Sequence, residues 1–120
     1  MRSRVRHELK TWPEFFAATR RGHKKFELRR DDRPEGFQVG DELKLMEWDP
    51  AIYKAFLRDC PDPPSDMDIF EATQAAYTGQ ELLVRVDYVM PFAKIIELMG
   101  LTEPIPFPGS FVILGISLIP

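Results

Sequence analysis

A chain of 120 residues, 44% hydrophobic and 29% charged, has room for one hydrophobic core but not comfortably for two, and is too apolar to be wholly disordered. Its single cysteine, Cys60, excludes an internal disulfide and any cysteine-cluster zinc or iron–sulfur site. No stretch reaches the roughly 20 apolar residues that span a bilayer, and Arg2, Arg4, Arg6 and Lys10 precede no apolar run, so a soluble cytoplasmic protein is expected.

The net charge of −3 hides a division. Residues 1–33 carry 11 Lys or Arg against 5 Asp or Glu, a balance of +6, whereas residues 34–120 carry 5 against 14, a balance of −9. Such asymmetry concentrates an anionic ligand at one face and repels it elsewhere.

In chain order, residues 5–10 read as a first strand. Thr11-Trp12-Pro13-Glu14 then has the spacing of a capping box, with proline tolerated in the first helical turn. Phe15, Phe16 and Thr19 are expected to face the core, and Gly22 to end the helix. Phe26 and Leu28 alternate with Glu27 and Arg29, a strand with one packed and one polar face. A turn follows over 31–36, and Val39-Gly40-Asp41 leads into a strand over 42–48 with Leu43 and Leu45 inward.

Ile52, Phe56 and Leu57 suggest a short helix that the Pro61 to Pro64 run stops. The stretch 66–76 mixes helical and loop character. The strongest strand pattern is 81–90, where Leu82, Val84, Val86 and Tyr88 alternate with Leu83, Arg85, Asp87 and Val89. A short helix over 92–99 and a closing strand over 111–118, broken by Gly115, complete the chain. We expect one domain over 1–120, mainly β with short helices (α+β), about five principal strands forming a β-barrel, and an inserted segment at 49–76.

The stretch 22–33, GHKKFELRRDDR, holds five fixed cations, Lys24, Lys25, Arg29, Arg30 and Arg33, with His23 as a titratable sixth. Arg29, Arg30 and Arg33 suit bidentate phosphate contacts or stacking on bases, unless Asp31 and Asp32 neutralise them. Lys24 and Glu27 suit either phosphate and base recognition or a salt bridge fixing the barrel mouth. Glu8, Glu47 and Asp49 complete no metal motif, and His7 and His23 are too far apart in sequence to assign one, so neither metal nor cofactor is expected.

The ordered set HELK, GHKKFELR, DDR, VGD, EWDP and YTG resembles the DUF3850 family within the ASCH and PUA-like superfamily, from His7 to Val89, with FVILGISL as the closing strand. The resemblance implies a PUA-like barrel whose cleft binds RNA or a modified nucleoside. Its first motif falls on Gly22, Lys24, Glu27 and Arg29, its VGD turn on Gly40 and Asp41, and its YTG segment on Tyr77, Thr78 and Gly79. Asp32 replaces the asparagine usual in the family's next turn and leaves Arg33 in place.

Some relatives in the superfamily are amidohydrolases of N4-acetylcytidine that use a lysine and a threonine of the first motif with a later glutamate. The lysine corresponds to Lys24, but Glu27 stands at the threonine position. A hydrolase would therefore need Glu27 to prepare water or Thr78 to supply the hydroxyl, although a turn hydrogen bond also accounts for Thr78.

The leading expectation is an RNA-binding or nucleotide-ligand-binding module, with Lys24, Glu27, Arg29, Arg33 and Tyr77 as ligand contacts. A hydrolase of a modified nucleoside, with Lys24, Glu27 or Thr78 catalytic, is the alternative. A protein-interaction accessory domain docking through 49–76 is the third.

Overall fold

The computed structural model describes residues 3–30, 36–100 and 111–120, apart from the side chains of Ile95 and Ile96. Among these residues five strands and four helices follow in chain order: β1 (Arg6–Thr11), α1 (Pro13–Arg20), β2 (Phe26–Arg30), β3 (Glu42–Trp48), α2 (Pro50–Arg58), α3 (Asp66–Ala75), β4 (Tyr77–Pro91), α4 (Phe92–Leu98) and β5 (Phe111–Leu118). The strands form one sheet in the order β1-β3-β4-β5-β2. β1 runs parallel to β3, and every other neighbouring pair is antiparallel.

This order leaves β1 and β2 as the two edges, yet the sheet curls until those edges approach. The Arg29 guanidinium on β2 donates to the Lys10 carbonyl on β1 at 2.8 Å. The result is a mixed α/β fold built on a curled, open five-stranded sheet, a half-barrel clasped by a side chain rather than by a backbone ladder. Of the partly open or closed barrel expected, the open form is found: among the described residues no ladder joins β1 to β2, and their adjacent ends flank a cleft.

The inward faces supply the core: Leu9 from β1, Leu43 and Leu45 from β3, Val84 and Val86 from β4, and Val112, Leu114 and Ile116 from β5. Phe16 of α1 and Phe37 close it from the concave side. Alternation in each strand produces this directly, since a period of two places every second residue on one face. Burying these side chains stabilises the fold by about 1.5–3 kcal/mol for each large one.

Two local expectations are corrected. Thr11 is the last residue of β1, paired with Glu47 of β3, and its side chain is buried. Trp12 takes the N-cap position without a side-chain cap bond, and Pro13 opens α1. The parallel ladder holds Thr11 in the sheet and so removes it from capping. On β2 the faces are reversed: Glu27 is buried, whereas Phe26 and Leu28 are about half exposed. Glu27 lies opposite Leu114 of β5 and Arg29 opposite Val112, so the ladder register turns the charged residues toward the core.

The helical pair between β3 and β4 is locally encoded. Asp49 caps α2 by accepting from the Ala51 N–H at 2.9 Å, and Ser65 and Asp68 form a reciprocal capping box on α3. Asp49 N–H meets the Ala76 carbonyl at 2.9 Å, so the excursion returns where it left the sheet. The Trp48 indole donates to the Thr73 carbonyl at 3.0 Å and anchors α3. No helix among the described residues is long and apolar enough to cross a membrane.

Gly115 makes close packing possible on the outer face. A Cβ there would lie 1.9 Å from Cε1 of Tyr88, its partner on β4. Gly115→Ala therefore displaces the Tyr88 ring into solvent and costs about 1–2 kcal/mol in chemical denaturation. Adding Tyr88→Ser removes most of that penalty; equal losses in both variants would contradict the account.

Candidate functional site

Two chain-local features build the cleft. β1 ends at Thr11 and α1 starts at Pro13, so Trp12 sits at the corner between them and Phe15 follows one turn later. After α1, Gly22 has a φ of 78° and turns the chain so that Lys24 and Phe26 lead into β2. A cleft of about 410 Å³ lies between these parts, at the open seam of the half-barrel.

Its floor is ionic. Lys24 Nζ donates to Glu27 Oε1 at 2.6 Å, and Arg29 Nε donates to Oε2 of the same carboxylate at 3.2 Å. A buried carboxylate is tolerable only when paired, and Glu27 has one cation on each oxygen. Arg29 Nη2 continues across the seam to the Lys10 carbonyl and lies 3.5 Å from the Thr11 hydroxyl. One guanidinium therefore orients Glu27 and holds the two sheet edges together.

The walls are aromatic. Trp12, Phe15, Phe26 and Leu28 are 48%, 49%, 49% and 51% exposed, and all four line the cleft. The Trp12 and Phe15 rings are nearly parallel, with centroids 6.3 Å apart. The Lys24 ammonium lies 5.7 Å from the centre of Phe15 and 5.4 Å from that of Phe26, within cation–π range. Half-exposed rings converging on a cleft with a small polar floor have the composition of small-ligand sites, whose volumes run from roughly 300 to 1,000 Å³.

The structure thus brings Lys24, Glu27 and Arg29 together. Tyr77 lines a different groove of about 390 Å³, with Glu8, Glu47 and Glu81. Burial, and then the Glu8 carboxylate, push its phenol up from the ordinary tyrosine range, so it remains a neutral hydroxyl near pH 7. Thr78 donates to Glu47 at 2.8 Å and is absent from the lining of the Lys24 cleft. Tyr77-Thr78-Gly79 forms the irregular start of β4, where Gly79 has a φ of 91°. Arg33 falls outside the described residues.

Asp41, read from sequence as a turn residue, is a buried hub. Its carboxylate accepts from the Val5 N–H at 3.1 Å and the Gln38 N–H at 2.9 Å, and meets His7 Nε2 at 3.0 Å. Gly40, with a φ of 92°, allows this tight approach. The hub fixes the start of β1, the strand that carries Lys10, Thr11 and Trp12 to the cleft. Among the described residues no group of three or more His, Cys, Asp or Glu could hold a metal ion. Desolvation, then Asp68, push the Cys60 thiol up, which disfavours the reactive thiolate.

Sequence reading missed Trp12 and Phe15 as cleft residues. Phe15 and Phe16 point about 100° apart on the helix, so with Phe16 at the centre of the buried face Phe15 falls at its margin, the one signal in the sequence for a wall residue. Phe26 and Leu28 carried no such sign, because alternation alone does not say which face of an edge strand is buried.

A small mixed α/β protein whose curved open sheet presents an aromatic cleft has, in general terms, a surface suited to nucleic-acid or small-ligand binding. The chain belongs to the DUF3850 family, a domain of unknown function, which matches residues 6–99. No curated protein matches it.

Proposed function

We propose that the protein is a PUA-like, ASCH-type module that binds RNA or a nucleotide-containing ligand in the seam cleft. The observation that carries this reading is Glu27, buried between Lys24 and Arg29 beneath exposed Trp12, Phe15 and Phe26. Stacking platforms beside a positively charged track are what single-stranded nucleic acids require. Lys24, Glu27 and Arg29 form the polar floor of the site, and Arg33, outside the described residues, is a further ligand contact proposed on its charge alone. Exposed Arg20, Arg21, Lys25 and Arg30 supply further positive charge on the segments flanking the cleft. Tyr77, across β1 and β3 from the cleft, is a contact for a ligand that continues over the sheet.

The test is equilibrium binding of the purified chain to a mixed single-stranded RNA pool across a salt series. Affinity should fall with salt, by a log–log slope of about −0.7 for each neutralised phosphate. Lys24→Ala should weaken binding about tenfold at matched salt, because it removes one cation from the cleft and leaves the buried Glu27 paired with Arg29 alone. Salt-independent binding, or no binding, contradicts the reading.

The 2.6 Å contact between Lys24 and Glu27 supports a second reading, hydrolysis of an amide on a modified nucleoside such as N4-acetylcytidine. In that chemistry Lys24 stabilises the developing oxyanion and Glu27 prepares water. Full turnover by Lys24→Ala would remove Lys24 from that role.

A further inference from the structure

We infer that the seam cleft takes a single planar, uncharged heteroaromatic base, held by its ring faces, with the phosphate left outside. The inference rests on the nucleotide-binding reading and narrows it to which part of the nucleotide is recognised.

Each cation bordering the cleft already has a partner. Lys24 is held by Glu27 at 2.6 Å and lies over two rings. Arg29 spends Nε on Glu27 and Nη2 on the Lys10 carbonyl. The Lys10 ammonium sits 4.9 Å from the centre of the Trp48 ring. A phosphate drawing on the remaining N–H donors of Lys24 or Arg29 would compete with a buried carboxylate for the same two charges, which offsets part of what the new contact contributes.

Exposed ring surface, by contrast, is free to pair. Trp12, Phe15 and Phe26 each leave about half their surface open at this one place. Solvent-exposed aromatic surface gathered in one cleft gains by covering, and a flat heterocycle covers it without regard to the identity of the base. The Trp12 and Phe15 rings, tilted by only 19°, already form a short stack that a base extends. Salt-sensitive RNA binding then arises mainly from the flanking cations, and base capture from the cleft.

The experiment is calorimetric titration of the full chain with four nucleosides, their 5′-monophosphates and ribose 5-phosphate, at low and high salt, beside the same RNA pool. At least one nucleoside should bind within about threefold of its monophosphate, with little salt dependence, while ribose 5-phosphate neither binds nor competes. Trp12→Ala and Phe26→Ala, at half-exposed positions that leave the core intact, should each weaken the nucleoside about tenfold.

A monophosphate tenfold or more tighter than its nucleoside, or competition by ribose 5-phosphate, overturns the inference and leaves the nucleotide-binding reading standing. RNA binding with no nucleoside bound at about 5 mM, where a tenfold weaker ligand than a typical millimolar binder still registers, has the same consequence. Nucleoside binding unchanged in both aromatic variants also overturns it, because the base then sits elsewhere. Absence of binding by RNA, nucleotides and nucleosides alike removes both readings together.

Discussion

Asp41→Ala should destabilise the protein by about 4 kcal/mol in equilibrium denaturation, a large share of the 5–15 kcal/mol typical of a domain. The buried carboxylate accepts two partly buried backbone N–H groups, from Val5 and Gln38, and contacts the buried His7 ring. Removing it takes the acceptor from two partly buried donors, opens a cavity in the hub and leaves the buried His7 without this partner. Asp41→Asn should recover less than half of the loss, since the amide keeps one acceptor and aims an N–H at a group that was formerly donating. In a double-mutant cycle with His7→Ala the two losses should fall short of additive by about 1–2 kcal/mol. Strict additivity would mean that the His7 contact contributes nothing to the hub.

Glu27→Gln should cost about 3 kcal/mol, with a fall in melting temperature on the order of 10 °C. The reason is electrostatic: Lys24 and Arg29 converge on a neutral amide, and neither cation is fully exposed to water. The paired change Lys24→Met with Glu27→Leu should recover most of that stability, because an apolar pair of similar size needs no compensation and Arg29 keeps its bond to Lys10. Ligand binding should be weakened in Glu27→Gln and should stay weakened in the recovered variant. Recovery of binding along with stability would show that the ion pair only supports the fold and takes no part in recognition.

The legible parts of this protein are those where one local rule decides. The alternation around Leu43 and Leu45, and around Val84 and Val86, places both strands and their buried faces. The end of α1 at Gly22 and the break after α2 before the proline run follow from backbone chemistry that nothing distant overrides. The illegible parts depend on partners far along the chain. Thr11 reads as a cap, but a strand more than thirty residues later holds it in the sheet. Phe26 and Leu28 read as core, but the register against β5 turns Glu27 inward in their place.

The site was legible in the same uneven way. Glu27 and Arg29 are on one edge strand and Lys24 just precedes it, so their meeting could be foreseen, including the choice between a salt bridge and a binding pair. The aromatic wall could not, because Trp12 and Phe15 reach β2 only once the sheet has curled and brought its edges together. Tyr77 was grouped with the cations on chemistry alone; β3 and β1 lie between its strand and the seam, and Tyr77 lines the acidic groove instead.

The central claim is that the seam cleft is where ligand binds, and nuclear magnetic resonance of isotope-labelled protein titrated with short single-stranded RNA tests it most directly. The largest shifts should fall on the Trp12 indole N–H and on the amides from Lys24 to Arg29, with smaller ones at Lys10 and Thr11. Shifts gathered instead around Tyr77 and Glu81, or on the exposed α3 face at Met67 and Phe70, would contradict the assignment.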